Sequence, residues 1–286
     1  MYSLGVQQIM LGSVCKDEQS TVKSLKRIKG AGYDGIELNS FMIEPTPFIV
    51  RLLTRFAGMP VGGGTQIDWQ QVIANSGLKV ISLHTDLGSL EQRIDEVIAL
   101  SEKLNTNKLV ITGMYRFDYS DLTEVKDLSR RLNKVATKLH EADKELLYHN
   151  HNIEFLKVDN KHKALDIILE ETDADLLKFE FDSYWAAEAG VDVISTMKKL
   201  GSRINLYHIN DRGTRLKKKP ITPILKSDSM ELGYGNMPLK QILNLECIKE
   251  ADGVILESHR NWIDGDPLKS AEMSAIFLRE YLNDKE

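Results

Sequence analysis

A chain of 286 residues with a net charge of −5 is long enough to bury a sizeable core and too acidic for a nucleic-acid binder that works by neutralising phosphates. Its two cysteines, Cys15 and Cys247, offer no disulfide framework. The N-terminal MYSLGVQQIML lacks the basic and long apolar parts of a signal peptide, and no window reaches the roughly 18 apolar residues of a spanning helix, so the expectation is a cytoplasmic protein acting on polar small molecules, with neither nucleic acid nor membrane as partner.

Short runs of strand character occur at residues 4–8, 35–38, 79–83, 108–112, 145–149, 176–182, 204–208 and 253–257. Helical spacing of apolar residues marks the stretches between them. The first such stretch, 21–28, is closed by Gly30 and Gly32, since glycine readily ends a helix in a left-handed turn. Residues 40–76 exceed what one crossover needs: Pro45 and Pro47 begin a helical stretch, 58–64 break it, and 68–75 make another. Gly62, Gly63 and Gly64 read as a turn, because they lack the strand-to-helix setting and the lysine of a phosphate loop. Residues 89–104 carry Ile94, Val97, Ile98 and Leu100 near helical spacing, and 122–142 form a further helix. The basic run 215–219 reads as a solvated loop. No linker or composition break interrupts the chain, so residues 1–286 are expected as one domain. Eight strand–helix repeats predict an α/β fold of the closed (β/α)8 TIM barrel type.

Such barrels carry their reactive groups at the carboxyl ends of the strands. YHNHNIEF, residues 148–155, follows the fifth run, and strand alternation points His149 and His151 to one side. Asp182, His208 and Glu257 end the sixth, seventh and eighth runs. Two neutral imidazoles and two carboxylates suit a divalent cation (Mn²⁺, Zn²⁺, Fe²⁺ or Mg²⁺) better than Ca²⁺, and a cation there would polarise substrate oxygens. His151 is a candidate general base, with a fifth ligand or an orienting partner as its other roles. Glu154 is a candidate for orienting a ligand or holding a sugar hydroxyl. Glu37 and His84, also at strand ends, are candidates for substrate contact or for satisfying backbone groups of a following helix. Trp185 is placed to stack on a sugar face or to pack in the core. Asp211, Arg212, His259 and Arg260 follow the last two strands, where barrels often bind phosphate; surface ion pairs are the competing reading.

YHNHNIEF, FDSYWAAEAGVD, YHINDRG and VILESHR, with GYDGIEL and LKVISLHTDL before them, resemble the sugar phosphate isomerase/epimerase family of xylose isomerase-like TIM barrels, which includes inosose dehydratases, hydroxypyruvate isomerases and ketose 3-epimerases. The resemblance covers nearly the full chain. It implies that Asp182, His208 and Glu257 occupy the family's Asp, His and Glu metal-ligand places, and that His149 stands where many members carry a ligand Glu. The ketose epimerases of that group use two metal-bound glutamates on opposite faces of the substrate, so His149 departs from their symmetrical mechanism and gives weight to a His base or to a dehydratase route. By position, His151 resembles a catalytic His of dehydroshikimate dehydratases. Dimers and tetramers are common in the resembled family, so a homo-oligomer is an implied expectation.

The expected function is a metal-dependent isomerase or epimerase of a sugar, sugar phosphate or polyol-derived ketone. Glu257 or His151 would remove the proton beside a carbonyl through a metal-chelated, enediolate-like intermediate. The alternatives are an inosose or dehydroshikimate-type dehydratase, an apurinic-site endonuclease, which needs more metal ligands and a basic surface, and a barrel that binds ligand without turnover.

Overall fold

The structure, a computed structural model, describes residues 2–44, 67–216, 219 and 221–283. The helical stretch expected from Pro45 and Pro47 and the glycines Gly62 to Gly64 lie outside the described residues. In chain order the elements are β1 (Ser3–Gln7), α1 (Glu18–Ala31), β2 (Gly35–Asn39), α2 (Ser40–Ile43), α3 (Trp69–Ser76), β3 (Lys79–Thr85), α4 (Leu87–Gln92), α5 (Ile94–Lys103), β4 (Lys108–Ile111), α6 (Leu122–Glu141) and β5 (Glu145–His149). They continue with α7 (Ala164–Glu171), β6 (Leu177–Asp182), α8 (Ser183–Glu188), α9 (Val193–Leu200), β7 (Ile204–Ile209), β8 (Asp211–Gly213), β9 (Asp228–Met230), α10 (Leu239–Leu243), α11 (Glu246–Lys249), β10 (Gly253–Leu256) and α12 (Pro267–Asn283). Among the described residues eight strands close into a barrel in the order β1-β10-β7-β6-β5-β4-β3-β2. Every expected strand is present. The runs KLVI and ELLYH are nearly continuous in apolar residues because parallel strands of this kind are covered on both faces.

Three details differ from the sequence expectation. Gly30 lies inside α1, and Gly32 alone closes it, at φ +107° with its N–H donating to the carbonyls of Ile28 and Lys29. The single helix expected at 89–104 is two, because Arg93 leaves helical geometry (φ −139°, ψ 42°), caps α4 through Ser89 O and starts α5. The antiparallel pair β8 and β9 was not expected, since three-residue strands are too short to show a period of two.

By its contacts the chain divides into two compact units. One comprises Met1–Tyr2, Val80–His208 and Leu245–Gly253. Here α6 starts at the Asp121 cap, whose carboxylate accepts from the N–H groups of Thr123 and Glu124. Its buried stripe Val125, Leu128, Leu132, Val135, Ala136 and Leu139 follows helical spacing and packs against α7 and β5. Each fully buried leucine of that stripe contributes about 1.5–3 kcal/mol, which anchors the strand that carries His149. The other unit comprises Ser3–Lys79, Ile209–Asn244 and Val254–Glu286. In it α1, capped by the reciprocal Asp17 and Ser20 pair, packs on α3 and α12. Tyr33 donates its hydroxyl proton to Ala271 O at 2.9 Å. Among the described residues no helix is long and apolar enough to cross a membrane.

Strand register decides which side chains of the first unit share a face. His84 pairs with Val110, Val110 with Leu147, and His149 with Glu180. Between β6 and β7 the register shifts at Phe179/Glu180, so Phe179 faces Ile204 whereas Glu180 faces Leu206 and Asp182 faces His208. Neighbours in register point the same way and residues two apart on a strand share a face. His84, His149, Glu180, Asp182 and His208 therefore all project from one face.

Candidate metal centre

The register brings together five buried polar side chains, each 5 % exposed or less. Glu180, fully buried, is the hub: its Oε2 accepts from His84 Nε2 at 2.9 Å and from His149 Nδ1 at 3.1 Å, and lies 3.2 Å from His208 Nε2. The rings pack on one another, His84 stacked on His208 at a centroid distance of 5.9 Å and His149 edge-on to His208 at 4.6 Å. Burial opposes charge on Glu180, but the fields of His208 and His84 and donation from His149 and His208 outweigh it, holding the carboxyl well below the usual carboxylate range. Among the described residues Glu180 Oε1 has no hydrogen-bond partner.

Asp182 ends β6 and begins α8 as its N-cap, with Oδ1 accepting from Trp185 N at 2.9 Å. Its Oδ2 lies 3.9 Å from His208 Nδ1. The Asn150 side chain clamps the Asp182 backbone from both sides, accepting from its N–H at 3.0 Å and donating to its carbonyl at 3.1 Å. This ties the end of β5 to the end of β6. His149, Asp182 and His208 each offer a ligand atom within 4.8 Å of those of the others, close to the spread of about 3–4 Å that ligands at about 2.1 Å adopt around one ion. Mixed imidazole and carboxylate donors suit Zn²⁺, Mn²⁺ or Fe²⁺, so these residues fit a divalent cation.

His151 lies past the end of β5, so strand alternation does not set its direction. Its ring is nonetheless 5.0 Å from that of His149 and 5.5 Å from Trp185, centroid to centroid, both residues being only partly exposed. Glu154 acts on the His151 main chain: its Oε2 accepts from His151 N at 2.8 Å and its Oε1 from the Tyr148 hydroxyl at 2.9 Å. Tyr148 in turn contacts the Tyr119 hydroxyl at 3.0 Å, which accepts from Met114 N. Burial raises the Glu154 carboxyl, with these hydrogen bonds opposing it, and burial together with the Glu154 field keeps Tyr148 protonated as the donor. The network is closed on one side by Gly113, where a Cβ would sit 2.7 Å from Glu154 Oε1 and 3.0 Å from the Tyr119 hydroxyl. Gly113→Ala is accordingly expected to lower stability by about 1–3 kcal/mol; a urea midpoint equal to that of the parent would contradict this.

The remaining candidates lie in the second unit. Glu37 is fully buried within β2, in register with Gln7. Glu257 is buried directly after β10, its N–H donating to Ile209 O, and His259 Nε2 lies 3.5 Å from its Oε1. Asp211 is a loop clasp: its two carboxylate oxygens accept from the N–H groups of Arg212, Gly233, Gly235 and Met237. Gly235 permits that approach, since a Cβ there would overlap the Asp211 carboxylate. Arg212 is half-buried on β8, and the exposed Arg260 pairs with Asp228 at 2.8 Å.

Sequence reasoning passed over Glu180, Asn150 and Tyr148. A signal for Glu180 was present, because in Phe179-Glu180-Phe181-Asp182 the two carboxylates alternate with aromatics and must share the face of Asp182. Asn150 and Tyr148 carried none, as their partners come from other segments.

The sequence model of a family described as "Xylose isomerase-like TIM barrel" matches residues 25–280. An inosose dehydratase of Clostridium tetani (strain Massachusetts / E88) is 24% identical over 170 residues, 57% of this chain and 55% of that protein. The chain thus spans about half the length of this curated relative. A sugar phosphate isomerase/epimerase from Parabacteroides distasonis ATCC 8503 superposes with a TM-score of 0.74 at 20% identity, covering 98% of this chain and 94% of that one. The IOLI protein, solved with a binding zinc atom, superposes with a TM-score of 0.65 at 14% identity over 99% and 98% of the two chains. At these identities the two structures speak for the fold alone.

Proposed function

This chain belongs to the xylose isomerase-like TIM barrel family, and from that premise we propose that it is a metal-dependent isomerase or epimerase of a sugar, sugar phosphate or polyol-derived ketone, with the cation held by His149, Asp182, His208 and Glu257. The observation that carries this reading is the buried His149, Asp182 and His208 set with ligand atoms within 4.8 Å of one another. Glu257 is assigned as the fourth ligand from its place at the carboxyl end of β10, the strand next to β7 in the barrel order. The zinc of the IOLI protein supports a metal in this fold.

When bound, a divalent cation supplies Lewis acidity to substrate oxygens. The chain's own residues do the rest. His151, held by the Glu154 carboxylate on its main-chain N–H, takes the proton from the carbon beside the carbonyl at a ring nitrogen, with Glu257 as the other candidate base. The Trp185 ring lies 5.5 Å from the His151 ring, tilted at 48° to it, and offers an aromatic face for a sugar ring. Returning the proton to the neighbouring carbon isomerises the substrate, and returning it to the opposite face epimerises it.

A second reading is favoured by the similarity to an inosose dehydratase: the same proton removal followed by expulsion of a β-hydroxyl as water. Metal content and incorporation of solvent deuterium into a panel of ketoses and inososes test both readings together. About one ion per chain with deuterium in recovered substrate and product is expected, and a new enone absorbance would select dehydration. Neither metal nor exchange with any member of the panel would overturn the proposal. A cytoplasmic location and action on a small molecule accord with this chemistry.

A further inference from the structure

Resting on the metal reading above, we propose that Glu180 is the positioning residue that fixes the tautomers of the two histidine ligands, His149 and His208. A neutral imidazole carries its proton on one nitrogen and a lone pair on the other, and only the lone pair binds a metal. Glu180 Oε2 lies 3.1 Å from His149 Nδ1 and 3.2 Å from His208 Nε2. A carboxylate accepts hydrogen bonds and donates none, so each of those nitrogens carries the proton. His149 Nε2 and His208 Nδ1 are then the lone-pair atoms. His208 Nδ1 is the nitrogen turned to Asp182, 3.9 Å from its Oδ2, as a shared ion requires.

Glu180 is fully buried, so it acts through the histidines and not on a substrate. His84 adds a third donor to the same oxygen at 2.9 Å and packs against both ligand rings, which makes it a brace for their orientation. One carboxylate thus sets two ligands from different strands, β5 and β7, an economy that the register of β6 between them makes possible. Metal-bound histidines commonly give their second N–H to a carboxylate or carbonyl, and loss of that partner weakens metal affinity about 10–100-fold.

The same four groups, His84, His149, Glu180 and His208, also offer atoms within reach of a single ion, and the experiment separates that role from positioning. Zn²⁺ affinity and stoichiometry are measured for the parent and for Glu180→Gln by competition with a chromogenic chelator, and ring ¹⁵N shifts of the metal-free parent report the tautomers. Expected are one ion per chain in both proteins, affinity about 10–100-fold weaker in Glu180→Gln, and, in the parent, His149 protonated at Nδ1 and His208 at Nε2. Unchanged affinity in folded Glu180→Gln, loss of a whole equivalent of bound ion, or the opposite tautomer on either histidine would each overturn the proposal. The tautomer measurement holds even if the variant fails to fold. A parent that binds no ion would defeat the metal reading, while its ¹⁵N shifts would still decide the role of Glu180.

Discussion

Asp182→Asn is expected to lose stoichiometric metal and to lower turnover by about 10³-fold while leaving the fold in place. The side chain does two things in the structure, and the substitution separates them. One oxygen caps α8 by accepting from Trp185 N, a task asparagine performs about as well as aspartate. The other lies toward His208, where the proposed ligand role needs a full negative charge. A metal contributes several kcal/mol of charge stabilisation in the transition state, and each 1.36 kcal/mol is tenfold in rate, so its loss is worth about 10³-fold. Metal analysis and steady-state rates on the turned-over substrate decide the matter. A variant with one bound ion and turnover within tenfold of the parent would remove Asp182 from the ligand set.

The largest effect on stability is expected at Arg203→Met, a loss of about 3–5 kcal/mol read from urea unfolding. Arg203 is 8% exposed, and its guanidinium satisfies main-chain carbonyls at a strand end and a helix end together: Leu177 O at 2.9 Å, Leu169 O at 3.2 Å and Thr172 O at 3.4 Å, with Thr172 Oγ1 at 2.8 Å. It also lies over the Phe179 ring at 5.1 Å, an arrangement that adds cation–π attraction. Methionine fills much of the volume but donates nothing, which leaves buried carbonyls unsatisfied at about 1–3 kcal/mol each. Because Arg203 ties the start of β6 to the start of β7, its loss loosens the two strands whose far ends carry Glu180, Asp182 and His208. An unfolding free energy within about 1 kcal/mol of the parent would show that water takes over these bonds.

Much of the fold is legible in the chain because its signals are local. Apolar runs such as Leu109-Val110-Ile111 and Leu146-Leu147-Tyr148, separated by stretches with the spacing of α6, state both the element types and their alternation. The deviations are local conflicts of similar strength, as at Arg93, where one residue leaves helical geometry within a continuous amphipathic pattern. The short β8 and β9 pair is held by partners 15 to 19 residues apart, Gly213 with Asp228 through Arg212 with Ser229 to Asp211 with Met230, and no local pattern reports such pairing.

The site divides along the same line. His149, Asp182 and His208 could be found from the sequence because each stands at the end of an apolar run, and position on a strand is a property of that strand alone. What these residues share a face with was decided only by the tertiary structure. Without the register shift at Phe179/Glu180, Asp182 would face Tyr207, and the one-residue slip that puts His208 there reverses the face on which every later side chain of β7 projects. The hub role of Glu180 has the same origin: its charge and its three imidazole neighbours come from β3, β5 and β7, and a field summed over separate strands has no counterpart in the order of residues along one of them.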